Sequence, residues 1–179
     1  LEIEGAHILR LSSYPDTTSG LLLHFNGTEA ATSTNDSSVN ANPVAFHGDA
    51  HLEESAQRFG SSSVAFDGNG YLTIPDSSNW ALGTKWTVDF WVNIPDGGGG
   101  VVVGQGNAPY NGASFYIVVR NGYVGSWWRD TSGVGNYLNT AGASSLTTNA
   151  WHHVEVSMDG IANPRIFVDG VSQAFSTSE

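Results

Sequence analysis

Between Trp86 and Ile94 hydrophobic and polar positions alternate without a break. Trp86, Val88, Phe90, Val92 and Ile94 fall on one side of an extended chain, and Thr87, Asp89, Trp91 and Asn93 on the other. This period of two predicts a strand with one buried face. The pattern returns at residues 151–158, where His152, Val154, Val156 and Met158 oppose Trp151, His153, Glu155 and Ser157. Ahead of the first strand, residues 62–66 and 71–74 are short β-rich runs on either side of Asp67-Gly68-Asn69-Gly70. Those four residues tolerate positive φ, so the local plan is strand, turn, strand. Residues 115–120 and 123–128 flank Asn121-Gly122, the strongest hairpin signal in the chain. Residues 165–168 predict a further strand that turns at Asp169-Gly170, with residues 171–175 as its hairpin partner.

The remaining segments are less regular. Residues 1–11 read as one strand whose alternation breaks near Ala6, and residues 12–19 as a loop or linker. The apolar run LLLHF at residues 21–25 predicts a strand buried on both faces. Residues 28–42 are long and polar, so they belong on the surface where water satisfies the backbone. Residues 43–52 suggest a short strand, residues 96–100 a flexible glycine turn and residues 101–103 a strand. Residues 104–112 read as an exposed loop displaying Tyr110, and residues 130–148 as mostly loop, with Tyr137-Leu138 its only apolar pair. No run of ten or more residues keeps a helical period, so the chain is expected to be all-β. Its organisation reads as an N-terminal strand and linker, residues 1–18, followed by one sandwich domain, residues 19–179.

Composition narrows the chemistry. The 179 residues suffice for one full core, and the absence of cysteine excludes disulfides, thiolate catalysis and Cys-ligated zinc while leaving the compartment open. Eight Phe, six Trp and six Tyr supply burial in place of cross-links. A net charge of -11, with only six Lys and Arg, argues against nucleic acid and anionic membranes as partners. No apolar segment approaches the roughly 18–20 residues of a membrane-spanning helix. The chain begins at Leu1 with no leader-like segment and reads as a processed chain or a piece of something longer.

Five blocks, in order, resemble the laminin-G-like jelly rolls of the concanavalin A-like lectin and glucanase superfamily. They are LLLHFNG at 21–27, FGSSSVAFDGNGYLTIP at 59–75, WTVDFWV at 86–92, WHHV at 151–154 and RIFVDG at 165–170. The first two, with the Ser-Thr-Asn-Asp-rich loop between them, look most like versions in phage virion and tail proteins and in bacterial surface proteins. The resemblance implies a two-sheet antiparallel jelly-roll sandwich of about a dozen strands. It also implies a final strand after the Asp-Gly hairpin, which has no counterpart here. Residues 3–11 have a similar look and are expected to fill that place, in their own domain or in a neighbouring copy, because the LLLHF strand would otherwise expose an edge.

Glucanases of this superfamily carry an E-x-D-x-x-E strand whose alternate carboxylates share a groove. That motif is absent: Glu2 and Glu4 lack a third member, and Asp89 stands between Thr87 and Trp91. The chain is therefore expected not to be an enzyme. Hard-oxygen ligands for a structural calcium, which the resemblance implies near the first long loop, are Asn35, Asp36 and Asn40, with Asn26 or Asp67 nearby. The same residues also suit Asx turns. His47 and His51 across a Gly-Asp turn read as surface residues rather than zinc ligands, and the adjacent His152 and His153 point to opposite faces.

Carbohydrate binding in the superfamily stacks aromatic rings on sugars and fixes hydroxyls with amides and carboxylates. Asp89, Trp91 and Asn93 offer such a face, which the strand pairing implied by the resemblance places beside His153, Glu155 and Phe167, with Tyr110, Trp127 or Trp128, Arg129 and Tyr137 expected at its rim. The same aromatics also serve packing or subunit contacts. The expected function is adhesion at an extracellular or virion surface, through a glycan or surface polysaccharide. The rival is a structural protein that decorates a particle or filament, with copies of itself as partners through the N-terminal strand.

Overall fold

A computed structural model of the chain describes residues 2–3, 8–13, 19–80, 82–107, 111–120, 122–129, 135–140, 146–160 and 164–178. The first half supplies β1 (Glu2–Ile3), β2 (Ile8–Ser13), β3 (Ser19–Leu23), β4 (Ala45–His47), β5 (His51–Glu53), β6 (Ser63–Ala65) and β7 (Tyr71–Thr73). A 3-10 turn, Ser78–Trp80, precedes β8 (Lys85–Asn93). Then come β9 (Gly99–Asn107), β10 (Asn111–Arg120), β11 (Tyr123–Arg129), β12 (Gly135–Thr140), β13 (Trp151–Asp159), β14 (Pro164–Val168), β15 (Val171–Ser172) and β16 (Phe175–Ser178). One sheet runs β16-β12-β11-β10-β9-β1-β7-β4, a second β15-β14-β13-β8-β2-β3, and β5-β6 form a separate ribbon. All pairings among these strands are antiparallel, so the all-β, two-sheet sandwich expected from the sequence is the fold observed.

The centre of the six-stranded sheet is the β8–β13 ladder, in register from Trp151 opposite Asn93 to Asp159 opposite Lys85. The alternation read from sequence is realised on both strands, with Val88, Phe90, Val92, Val154 and Val156 buried. Each such side chain contributes about 1.5–3 kcal/mol on full burial. The eight-stranded sheet answers with Val103, Phe115, Ile117, Val119 and Val124 in the same core. Trp86 of β8 and Trp128 of β11 meet edge to face across it, ring centroids 6.2 Å apart.

Local pattern and strand partnership part company in several places. The run 1–11 divides into β1 and β2, which belong to different sheets: β1 lies between β7 and β9, and β2 between β3 and β8. The runs 62–66 and 71–74 do not form a hairpin, because β6 pairs with β5 while β7 pairs with β1 and β4. The turn between them is instead tied to Asp49, whose carboxylate accepts the N–H groups of Asp67 and Asn69 at 3.2 and 3.3 Å. Segment 43–52 likewise yields two strands, β4 and β5, rather than one.

Three predicted loops contain strand. β9 begins within the glycine run and continues through Asn107, since the whole length of β10 is available to pair with it. Gly99 opens it at φ 130°, where a Cβ would stand 2.5 Å from the Val119 carbonyl oxygen, so only glycine permits the approach. Residues 135–140, within the segment read as loop, are held as β12 between β11 and β16. After Asp169-Gly170 only β15 returns along β14, and β16 joins the other sheet. Finally, β3 is an edge strand with one buried face: Leu21, Leu23 and Phe25 are buried, Leu22 is half-buried and His24 exposed.

Because β1 and β2 each sit between two strands that have no other contact along those edges, removing residues 1–13 leaves four unpaired edges, on β3, β7, β8 and β9. The shortened chain is expected to lose cooperative thermal unfolding or to self-associate. A circular-dichroism melt and a sedimentation profile identical to those of the full chain would refute this.

Candidate functional site

Burial of the even-numbered side of β8 turns its odd-numbered side outward. Trp91 is directly opposite His153, and Asp89 opposite Glu155, so residues far apart in sequence share the outer face of the six-stranded sheet. The Trp91 and His153 rings are 5.3 Å apart at 40°, and His153 Nε2 lies 3.5 Å from Asp89 Oδ2. Two residues outside the alternating runs complete the cluster. The Arg58 guanidinium sits 4.3 Å from the centre of the Trp91 ring, and Phe59 meets that ring edge to face at 5.4 Å. Arg58 also stands over Phe59 at 4.7 Å. Phe59 keeps 50% of its surface exposed, so a rigidly braced aromatic ring is presented to solvent. In the sequence Phe59 heads the 59–75 block but stands outside any alternating run, just before Gly60.

The two histidines have different tasks, as their opposite faces require. His152 is buried; its Nε2 accepts the backbone N–H of Thr147 at 3.1 Å, which places the ring proton on Nδ1, where it is donated to Asp169 Oδ2 at 2.7 Å. Asp169 Oδ1 accepts the His153 backbone N–H at 2.9 Å. Burial works upward on the Asp169 pKa, but the hydrogen bonds from His152 and His153 outweigh it and hold the carboxyl below its usual value. For His153 the contact with Asp89 raises the pKa, partial burial opposes it, and the charges of Asp89, Glu155 and Asp169 add to a net upward shift.

The other sequence candidates do not join this cluster. Asn93 shares the face but stands at the end of β8, opposite Trp151. Tyr137 belongs to β12 in the other sheet, 40% exposed at the end of an aromatic row. There Tyr116, Trp127 and Tyr137 are directly opposite on β10, β11 and β12, with centroid spacings of 5.6 and 6.2 Å. Trp127 is thus the tryptophan on the outer side, and Trp128 packs against the core instead of the rim, because neighbours on one strand face opposite ways. Arg129 occupies a register position opposite Gly135 in that same sheet. Tyr110 lies outside the described residues.

The donor set proposed for calcium does not fit the ion. Asp36 Oδ1 accepts the N–H groups of Leu22 and Ser38, both at 2.9 Å, and Oδ2 accepts the Ser38 hydroxyl, the Asn42 N–H and the Asn42 amide at 2.7–2.9 Å. A cation would have to displace these donors. Asn40 turns its amide to the Gly20 carbonyl, and Asn26 Oδ1 accepts the Ser61 N–H. Burial raises the Asp36 pKa, yet the hydrogen bonds from Leu22, Ser38 and Asn42 more than offset it and the net shift is downward. Among the described residues, no group of three or more His, Asp or Glu side chains is placed to hold a metal ion.

A cleft of about 590 Å³ opens at one end of the sandwich, walled by the end of β8, the start of β13, the glycine turn before β9 and the β5–β6 ribbon. Asn93 and Trp151 line it; Asp89 and Glu155 do not.

The family model Laminin_G_3, which describes the concanavalin A-like lectin/glucanases superfamily, matches residues 66–179. A comparison with curated proteins finds no match.

Two titrations follow. A raised His153 pKa adds stability that is fully present below the unfolded value of about 6.5 and is lost as pH rises through the folded value. The melting-temperature gap between the native chain and His153→Gln is therefore expected to be widest in mildly acid buffer and to shrink above neutrality; a gap independent of pH would refute the contact. The lowered Asp36 pKa adds stability above about pH 3.8 that is lost as pH falls through the folded value. Asp36→Asn is expected to cost about 1–3 kcal/mol at pH 7 in a denaturant titration, with the loss narrowing in acid, since it leaves buried donors unpaired. Millimolar calcium or a chelator is expected to leave the melting temperature of the native chain unchanged, and a rise with calcium would contradict the reading of the Asp36 loop.

Proposed function

The chain belongs to the concanavalin A-like lectin/glucanase superfamily, and from that premise we propose that it is a non-enzymatic adhesion module that binds glycans on the outer face of its six-stranded sheet. The observation that carries this reading is the Arg58–Phe59–Trp91–His153–Asp89 cluster. A sugar ring needs a flat apolar surface for its C–H face and fixed polar groups for its hydroxyls. Phe59 offers the first, held in place by Trp91 and Arg58 so that little conformational freedom is lost on binding. The imidazole of His153, the Asp89 carboxylate and the Arg58 guanidinium supply donors and acceptors around it.

Catalysis is the less favoured use of this face. Asp89 and Glu155 are neighbours across the ladder, but neither borders the cleft, and a glycosidase needs its two carboxylates on either side of an enclosed bond. The likeness of the 21–27 and 59–68 blocks, with the polar loop between them, to versions in phage virion and tail proteins and in bacterial surface proteins supports placing the module at a virion or cell surface.

A glycan array with the folded chain tests this. Binding to at least one glycan is expected, weakened about tenfold or more by Phe59→Ala and Trp91→Ala, a loss on the scale of one stacking contact. No binding to any glycan, together with concentration-dependent oligomers, would overturn it in favour of a structural protein that builds or decorates a particle.

A further inference from the structure

The cleft at the end of the sandwich adjoins the face just described. Asn93 is two residues along β8 from Trp91, about 7 Å at the rise of an extended chain, so a ligand lying on Phe59, above Trp91, is brought to the cleft mouth. Its volume of about 590 Å³ lies within the range of small-ligand sites. Its wall combines the half-buried Trp151 with the Asn93 amide, which has no side-chain hydrogen-bond partner among the described residues. Two carboxylates, Glu53 and Asp67, also line it, and no Lys or Arg does. The Asp67 carboxylate likewise has no hydrogen-bond donor among the described residues, its backbone N–H alone being engaged, with Asp49.

We infer that this cleft receives a single uncharged sugar unit, the end or a branch of the glycan whose body lies on the sheet face, and that it rejects uronic and sialic acids; the sugar class rests on the reading of the preceding subsection. The Asn93 amide both donates to and accepts from hydroxyls, and Trp151 supplies the apolar wall. An acidic sugar would bring a carboxylate against Glu53 and Asp67 with no cation in the wall to answer it, in a chain whose net charge is already -11. Steering by the whole molecule acts in the same sense.

The experiment is a set of titrations of neutral oligosaccharides against counterparts ending in uronic or sialic acid. The native chain is expected to favour the neutral member by about tenfold or more. Ala56→Trp, at an exposed lining position, fills the cleft without touching the core and is expected to weaken neutral binding by a similar factor at an unchanged melting temperature. Asn93→Ala serves as the second variant should that one melt early. Glu53→Lys with Asp67→Lys is expected to reverse the preference toward acidic sugars. Neutral binding that survives Ala56→Trp and Asn93→Ala but is lost in Trp91→Ala would overturn the cleft while leaving the face as the glycan site. Equal affinity for acidic and neutral sugars would overturn the charge selection, and no binding to any member of the set would overturn both readings.

Discussion

The β8–β13 ladder is the constraint from which the rest of the molecule follows. Nine residue pairs in continuous register leave no freedom to slip by one, because a one-residue shift would turn every valine and phenylalanine of the core outward. Burial of Val88, Phe90, Val154 and Val156 thereby decides which side chains face solvent. Trp91 meets His153, and Asp89 meets Glu155, as a by-product of packing the other side. The face that carries the candidate site is the complement of the core.

A chain without cysteine must tie its loops by other means, and here aspartates do so. Asp36 gathers donors from Leu22, Ser38 and Asn42 and so anchors the long 28–42 loop to β3. Asp49 holds the turn between β6 and β7, and Asp169 clasps the start of β13 through both His152 and the His153 backbone. Hydrogen bonds to a charged group contribute about 1.5–3 kcal/mol each where they are sheltered from water, as at Asp36. The same saturation makes the Asp36 loop a poor cation site: oxygen atoms engaged by N–H and O–H donors are not free to coordinate.

The candidate residues chosen from sequence separate onto different parts of the sandwich. Asp89, Trp91 and His153 converge on one outer face, Asn93 leads from it to the end cleft, and Tyr137 sits on the opposite sheet beside Trp127. The aromatic row there is packed against itself, Trp127 stacked at 18° on Tyr116 and flanked by Tyr137, which leaves Tyr137 as its exposed member. The face with Phe59 differs in that its aromatic is braced by Trp91 and Arg58 yet half exposed, and this is why the carbohydrate reading rests there.

What could be read from the sequence alone was whatever repeats along the chain. Alternation identified β8 and β13, the Asn121-Gly122 and Asp169-Gly170 turns located two hairpins, and together they were enough for an all-β sandwich with Asp89, Trp91 and His153 on its outer side. Pairing is not a local property. Whether residues 99–107 and 135–140 become strands depends on a neighbouring edge that needs hydrogen bonds, so glycine-rich and polar segments were drawn into the eight-stranded sheet against their own composition. The division of the N-terminal run between two sheets has the same origin, since each half fills a gap between strands distant in sequence. Arg58 and Phe59 came to lie over Trp91, and a cleft came to open beside Asn93, only through contacts between segments that share no pattern; these the tertiary structure alone decided.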